Sequence, residues 1–118
     1  MRRNLLIIAA IIALSQTSAQ AQEAAFAPGG NTVTLAVTGT TARVQIQTGP
    51  NSPNIRVYNA GTVAVFLSCG DVTITATIAT GMPVAPGSVE VIRCGQTYIA
   101  GISAGTAATV YLTPGAGI

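Results

Sequence analysis

The sequence predicts an all-β fold, a small antiparallel β-sandwich of the immunoglobulin-like or jelly-roll-like kind, and three observations carry that prediction. Apolar residues make up 49% of the 118-residue chain while aromatics are only 4% and Trp is absent. The core must therefore come from Val, Ile, Ala and Leu, and the branched members of that set suit strands. Beyond residue 31 the apolar positions recur every second residue, and no 3.6-residue period is sustained. Clusters of Gly, Pro, Asn and Thr interrupt these runs at intervals of roughly eight to twelve residues, the spacing of short strands in two packed sheets. About eight or nine strands are expected on that spacing.

The first 21 residues stand apart. Arg2 and Arg3 precede an unbroken apolar run at 5–14, and Ala19-Gln20-Ala21 follows it, which is the pattern of a secretory signal peptide. The run is too short for a transmembrane helix, which needs about 20 apolar residues, so no stable membrane anchor is expected. Cleavage after Ala21 would deliver the rest to the periplasm or the exterior. Residues 22–31, with Ala27-Pro28-Gly29-Gly30-Asn31, have no sustained period and predict a flexible segment leading into the domain. Residues 32–118 form the β-sandwich domain.

Within it, Val33, Leu35 and Val37 mark a first strand over 32–37. After a turn containing Gly39, Val44 and Ile46 alternate with Arg43, Gln45 and Gln47, which predicts a second strand with one wet face, the two forming a hairpin. Prolines 50 and 53 with their polar neighbours then make the densest group of loop formers in the chain. Residues 54–71 predict a second hairpin, in which Ile55 and Val57 alternate with Arg56 and Tyr58. Asn59-Ala60-Gly61 would turn the chain, and Val63, Val65, Leu67 and Cys69 share one face of the return strand.

The cleanest two-residue period follows at 72–78, where Val72, Ile74, Ala76 and Ile78 alternate with threonines; it predicts a strand. Residues 80–87 read as a breaker segment. Further strands are expected over 88–94, 97–103 and 107–113, and the closing Pro-Gly-Ala-Gly-Ile is expected to be irregular.

Residue types exclude much chemistry. The chain has no His, and its five basic residues are all Arg. The usual general base, the Schiff-base amine and the commonest metal ligand are therefore missing. Asp71 and Glu90 are the only carboxylates in the body of the domain. Paired-carboxylate chemistry would need both at one cleft, whereas Asp71 after Gly70 suits a turn closed by its own side chain, and Glu90 suits a solvent face. No catalytic, cofactor-binding or metal-binding residues are assigned, and no cofactor is expected.

Without residues 1–21, Arg43, Arg56 and Arg93 balance Glu23, Asp71 and Glu90, so the body is formally neutral. That charge gives no cationic field for nucleic acid and little repulsion between subunits. Protein subunits, in an oligomer or a lattice, are the expected partners. Cys69 and Cys94 are a possible disulfide if the chain reaches an oxidising compartment, closing a loop of about 25 residues worth roughly 3–4 kcal/mol. Two buried free thiols are the alternative.

The segments Ile-Arg-Val-Tyr-Asn-Ala-Gly-Thr at 55–62, Gly-Met-Pro-Val-Ala-Pro-Gly-Ser-Val-Glu-Val at 81–91 and Ala-Ala-Thr-Val-Tyr-Leu-Thr-Pro-Gly-Ala-Gly-Ile at 107–118 carry a resemblance. In order and spacing they resemble a family of small β-sandwich proteins encoded among the head and structural genes of tailed bacteriophages and prophages. The resemblance spans residue 54 to the end and implies a non-enzymatic virion structural protein, such as a capsid decoration or other head-associated accessory protein. It transfers no functional residue. The signal-peptide-like leader and the cysteine pair depart from the family's pattern and point instead to an exported binding module, periplasmic or surface-bound, with a Cys69–Cys94 disulfide.

Overall fold

A computed structural model describes residues 25–49 and 51–118; the signal-peptide-like segment expected at 1–21 lies outside them. The described residues form β1 (Ala27–Pro28), β2 (Val33–Val37), β3 (Ala42–Gln45), β4 (Asn54–Asn59), β5 (Val65–Gly70), β6 (Met82–Val84), β7 (Val89–Arg93), β8 (Tyr98–Ile102) and β9 (Ala108–Ala116). Sheet A is ordered β1-β9-β4-β7, with β2 also on β9, and sheet B is ordered β3-β8-β5-β6. All pairings are antiparallel.

The pairings nest. Strand β2 lies on β9, β3 on β8, β4 on β7 and β5 on β6. This is the pattern of one long hairpin rolled into two sheets, and it selects the jelly roll over the immunoglobulin-like sandwich. Between the sheets the alternate residues of each strand interlock: Leu35, Val37, Ile55, Val57, Val110 and Leu112 from sheet A meet Val65, Leu67, Val84 and Ile99 from sheet B. These side chains are almost fully buried. Each contributes about 1.5–3 kcal/mol relative to an exposed position, before the conformational entropy of ordering it is charged against that gain.

Rolling the hairpin changes what the sequence pattern means. The expected hairpins at 32–47 and 54–71 are both arches instead: β2 and β4 belong to sheet A, whereas β3 and β5 belong to sheet B. Side-chain alternation reports which face of a strand is buried but not which strand lies beside it, so an arch and a hairpin read alike. Asn59 drives the second crossing. Its Nδ2 donates to the carbonyls of Val63 (2.9 Å) and Val84 (3.0 Å), and its Oδ1 accepts from the Gly61 amide (2.9 Å). Val84 belongs to sheet B, so the last residue of β4 is tied across the sandwich.

The strand expected at 72–78 is a loop. Asp71 Oδ1 accepts from both the amide and the hydroxyl of Thr73, Ile74 N–H donates to Asp71 O (3.1 Å), and Gly81 N–H donates to Thr77 O (2.8 Å). Thr77 and Thr80 join their hydroxyls, and the Ala76 amide donates to Thr41 Oγ1 (2.8 Å). Side-chain oxygens offering local bonds outcompete a ladder here. Thr41 immediately precedes β3, while the loop's two ends join β5 and β6. Because β8 lies between β3 and β5, the loop crosses the outer face of sheet B. Ala100 points to that outer face and is nevertheless buried, as is Ala76.

The chain end expected to be irregular is strand. β9 continues through Pro114, Gly115 and Ala116, and Pro114 is accommodated by a gap. A strand residue's N–H and C=O point the same way, and Pro114 O accepts from Gly29 N–H at 2.8 Å, so the missing donor of Pro114 faces the β1–β2 side. There β1 ends at Pro28 and β2 begins only at Val33, so the single bond Pro114 forgoes is the return donation to Gly29, where the pairing is already ending. Ala27 and Pro28, in the stretch read as flexible, pair with Ala116 and Gly115. A third local difference is β6, which forms inside the segment read as a breaker.

Candidate functional site

The two outer faces of the sandwich differ. That of sheet B lies under the 71–81 loop, and among the described residues no segment covers that of sheet A. On sheet A the register aligns Thr34 of β2 with Tyr111 of β9, Tyr111 with Tyr58 of β4, and Tyr58 with Val89 of β7. The four form one row across the sheet. Their outward aim follows from period two: Ile55, Val57, Val110 and Leu112 take the core positions, so Tyr58 and Tyr111 must point away.

The rings of Tyr58 and Tyr111 lie 6.2 Å apart between centroids with an interplanar angle of 17°. Such a cross-strand pair contributes about 0.5–1.5 kcal/mol beyond its buried area. Both rings remain about two-fifths exposed, at 39% and 40%, and Val89 is 42% exposed. The neighbouring row is Thr113, Arg56 and Val91. Arg56 is the one charged side chain among these outward positions. At this end of the face an open depression of about 420 Å³ is lined by Phe26, Pro28, Gly30, Thr32, Arg56 and Thr113. The Thr32 and Thr113 hydroxyls hydrogen-bond each other at 2.7 Å. The surface offers aromatic and aliphatic contact with hydroxyls and one guanidinium, which suits a partner held by area and hydrogen bonds.

Cys69 and Cys94 form a disulfide with Cα atoms 5.9 Å apart. Cys69 is in β5 of sheet B and Cys94 directly follows β7 of sheet A, so the bond staples the two sheets. Cys94 is buried and Cys69 is exposed at the rim. Beside them a cleft of about 190 Å³ is lined by Leu67, Met82, Ile92, Arg93 and Ile99.

The remaining candidates do not converge. Asp71 sits in the loop over sheet B, where the Thr73 hydroxyl and amide hold its carboxyl below the ordinary range, closing the turn its sequence position suggests. Glu90 is exposed on the edge strand β7. Arg43 lies on sheet B, Arg56 on the outer face of sheet A and Arg93 at the end of β7. Among the described residues no group of three His, Cys, Asp or Glu side chains is placed to hold a metal ion. The tyrosine row was not singled out by sequence reasoning. The outward positions of Tyr58 and Tyr111 were readable, but their adjacency depends on the β4–β9 pairing, which periodicity does not encode.

No protein-family model and no curated protein matches the chain. Among solved structures it is similar to a chain from work described as "Bacillus endospore appendages form a novel family of disulfide-linked pili", at 18% identity and a TM-score of 0.39, covering 82% of this chain and 94% of that one.

Proposed function

We propose that this protein is a non-enzymatic structural subunit that attaches to a larger protein assembly through the outer face of sheet A. The observation that carries the reading is the asymmetry of the sandwich: one outer face lies under its own loop, while the other leaves Tyr58, Tyr111 and Val89 in the solvent. Aromatic residues at the centre of a nearly uncharged face are the composition of an interface core. The resemblance to phage head proteins supplies the kind of assembly, a capsid or other virion lattice carrying the subunit as decoration. Quantitative mass spectrometry of gradient-purified virions reads this directly. The chain is expected at a copy number matching the lattice symmetry, and its absence from the particles refutes the virion role.

A second reading is favoured by the Cys69–Cys94 disulfide. A bond that staples the two sheets suits an oxidising compartment and, with the signal-peptide-like leader, describes an exported module at the periplasm or cell surface. Intact-mass measurement of the protein from its producing cell distinguishes this reading. Loss of residues 1–21 together with two hydrogens supports export, and an unprocessed, reduced chain refutes it.

A further inference from the structure

The free edges of the two sheets are unequal. Edge strands expose unpaired backbone groups, and proteins blunt them with charge, proline or brevity. Strand β6 is three residues long and contains Pro83, and β1 is two residues long and contains Pro28. Strand β3 carries Arg43. Strand β7 carries Glu90 opposite the core residue Val57, an inward-pointing charge on an edge, and ends on Arg93. Strand β2, Val-Thr-Leu-Ala-Val, has five residues and none of these devices.

The hydrogen-bond directions of β2 follow from its neighbour. Along β9, Thr109 O accepts from Ala60 N–H on the β4 side, and Pro114 O accepts from Gly29 N–H on the β1–β2 side. N–H and C=O of one strand residue share a side and alternate along the chain, so Ala108, Val110 and Leu112 address β2. Their register partners are Val37, Leu35 and Val33, which therefore spend their backbone groups on β9. Thr34 and Ala36 are left with N–H and C=O aimed at the open edge, and among the described residues neither has a partner there.

We infer that β2 is a self-pairing edge, on which a second copy of this chain adds its own β2 antiparallel about a two-fold axis at Leu35. In that register Thr34 of one copy faces Ala36 of the other, twice, and each such pair exchanges both N–H···O bonds, so all the groups aimed outward by these two residues are satisfied. Leu35 faces its own symmetry mate in the wide pair, where no backbone group is offered. The edge is uncharged, so its two copies meet without repulsion, whereas antiparallel self-pairing of β3 or β7 brings Arg43 or Glu90 toward its own copy. Sheet A becomes continuous through both molecules, and the two tyrosine rows lie on one face. This deepens the assembly reading above by naming a partner, and it rests on the edge geometry alone.

Amide hydrogen exchange on the full, oxidised chain, read alongside sedimentation, tests it. The expected result is a concentration-dependent dimer in which the Thr34 and Ala36 amides become protected as the dimer forms. Ala36→Pro removes one outward donor without touching the β9 ladder, and it is expected to sediment as a monomer with unchanged far-ultraviolet circular dichroism. A chain that stays monomeric, a dimer whose Thr34 and Ala36 amides exchange freely, a folded Ala36→Pro that still dimerises, or protection that appears only when a different protein is added overturns the inference. The exchange measurement uses the unmodified chain, so it decides the matter even where Ala36→Pro does not fold. A monomer in solution leaves virion co-purification to be read separately, and absence from virions leaves the edge pairing standing.

Discussion

Asn59 is fully buried, and its amide group is used on both sides: two donations reach carbonyls in the neighbouring segment and in β6, and its oxygen takes the Gly61 amide. Truncation would strand those three backbone groups inside the sandwich. Asn59→Ala is therefore expected to lose about 2–3 kcal/mol, the cost of leaving buried polar groups without partners, seen as a lower midpoint in urea unfolding. Asp71 makes the opposite kind of contribution, at the surface. Its carboxylate is favoured by the Thr73 hydroxyl and amide, so the folded value is the lowered one. The turn is then fully supported above the unfolded-state value and weakens as pH falls through the folded value. A nuclear magnetic resonance titration should place Asp71 below an ordinary aspartate, and Asp71→Asn, which keeps an acceptor, should abolish the pH dependence of the 71–74 turn. The role of Asp71 was legible because Gly-Asp at a strand end has a local meaning. That of Asn59 was not, because its partner Val84 is distant in sequence.

At the scale of elements, β8 shows why a residue that weakens strands in isolation sits in this one. A Cβ on Gly101 would lie 2.9 Å from Leu35 Cδ2 and 3.0 Å from both Leu67 Cδ2 and Val37 Cγ2, so the two sheets close over the bare backbone. Gly101→Ala is expected to cost about 1–3 kcal/mol by overpacking, measurable as a lower melting temperature with the disulfide intact. Strand existence was legible wherever one face is buried and the other wet, as in β2, β4 and β9. It was misleading at 72–78, where the amides of Thr73, Ile74 and Ala76 bond to the Asp71 side chain, the Asp71 carbonyl and the Thr41 hydroxyl instead of to a ladder. It was missed at Pro114, whose absent donor falls where the adjoining strand breaks. Both misreadings share a cause: a missing donor or a competing acceptor acts through the hydrogen bonds available at a position, and those depend on neighbours that alternation does not identify.

For the whole molecule, the nested pairing brings β5 beside the end of β7 and allows Cys69 and Cys94 to join. Closing a loop of about 25 residues should contribute roughly 3–4 kcal/mol, so reduction, or Cys69→Ala with Cys94→Ala, is expected to lower the urea midpoint correspondingly. The sandwich class was legible in the sequence because strand count and turn spacing are local properties. The jelly-roll order was not, because it is fixed by which strands meet after rolling. The same step creates the tyrosine row from residues 58 and 111, which lie far apart in the chain. On the proposed function, this row attaches the subunit to its assembly. That attachment is tested most directly by Tyr58→Ser with Tyr111→Ser: both rings are outside the core, so the variant should fold, oxidise its cysteines and yet be lost from gradient-purified particles. A folded variant retained on particles at the unmodified protein's copy number would contradict it.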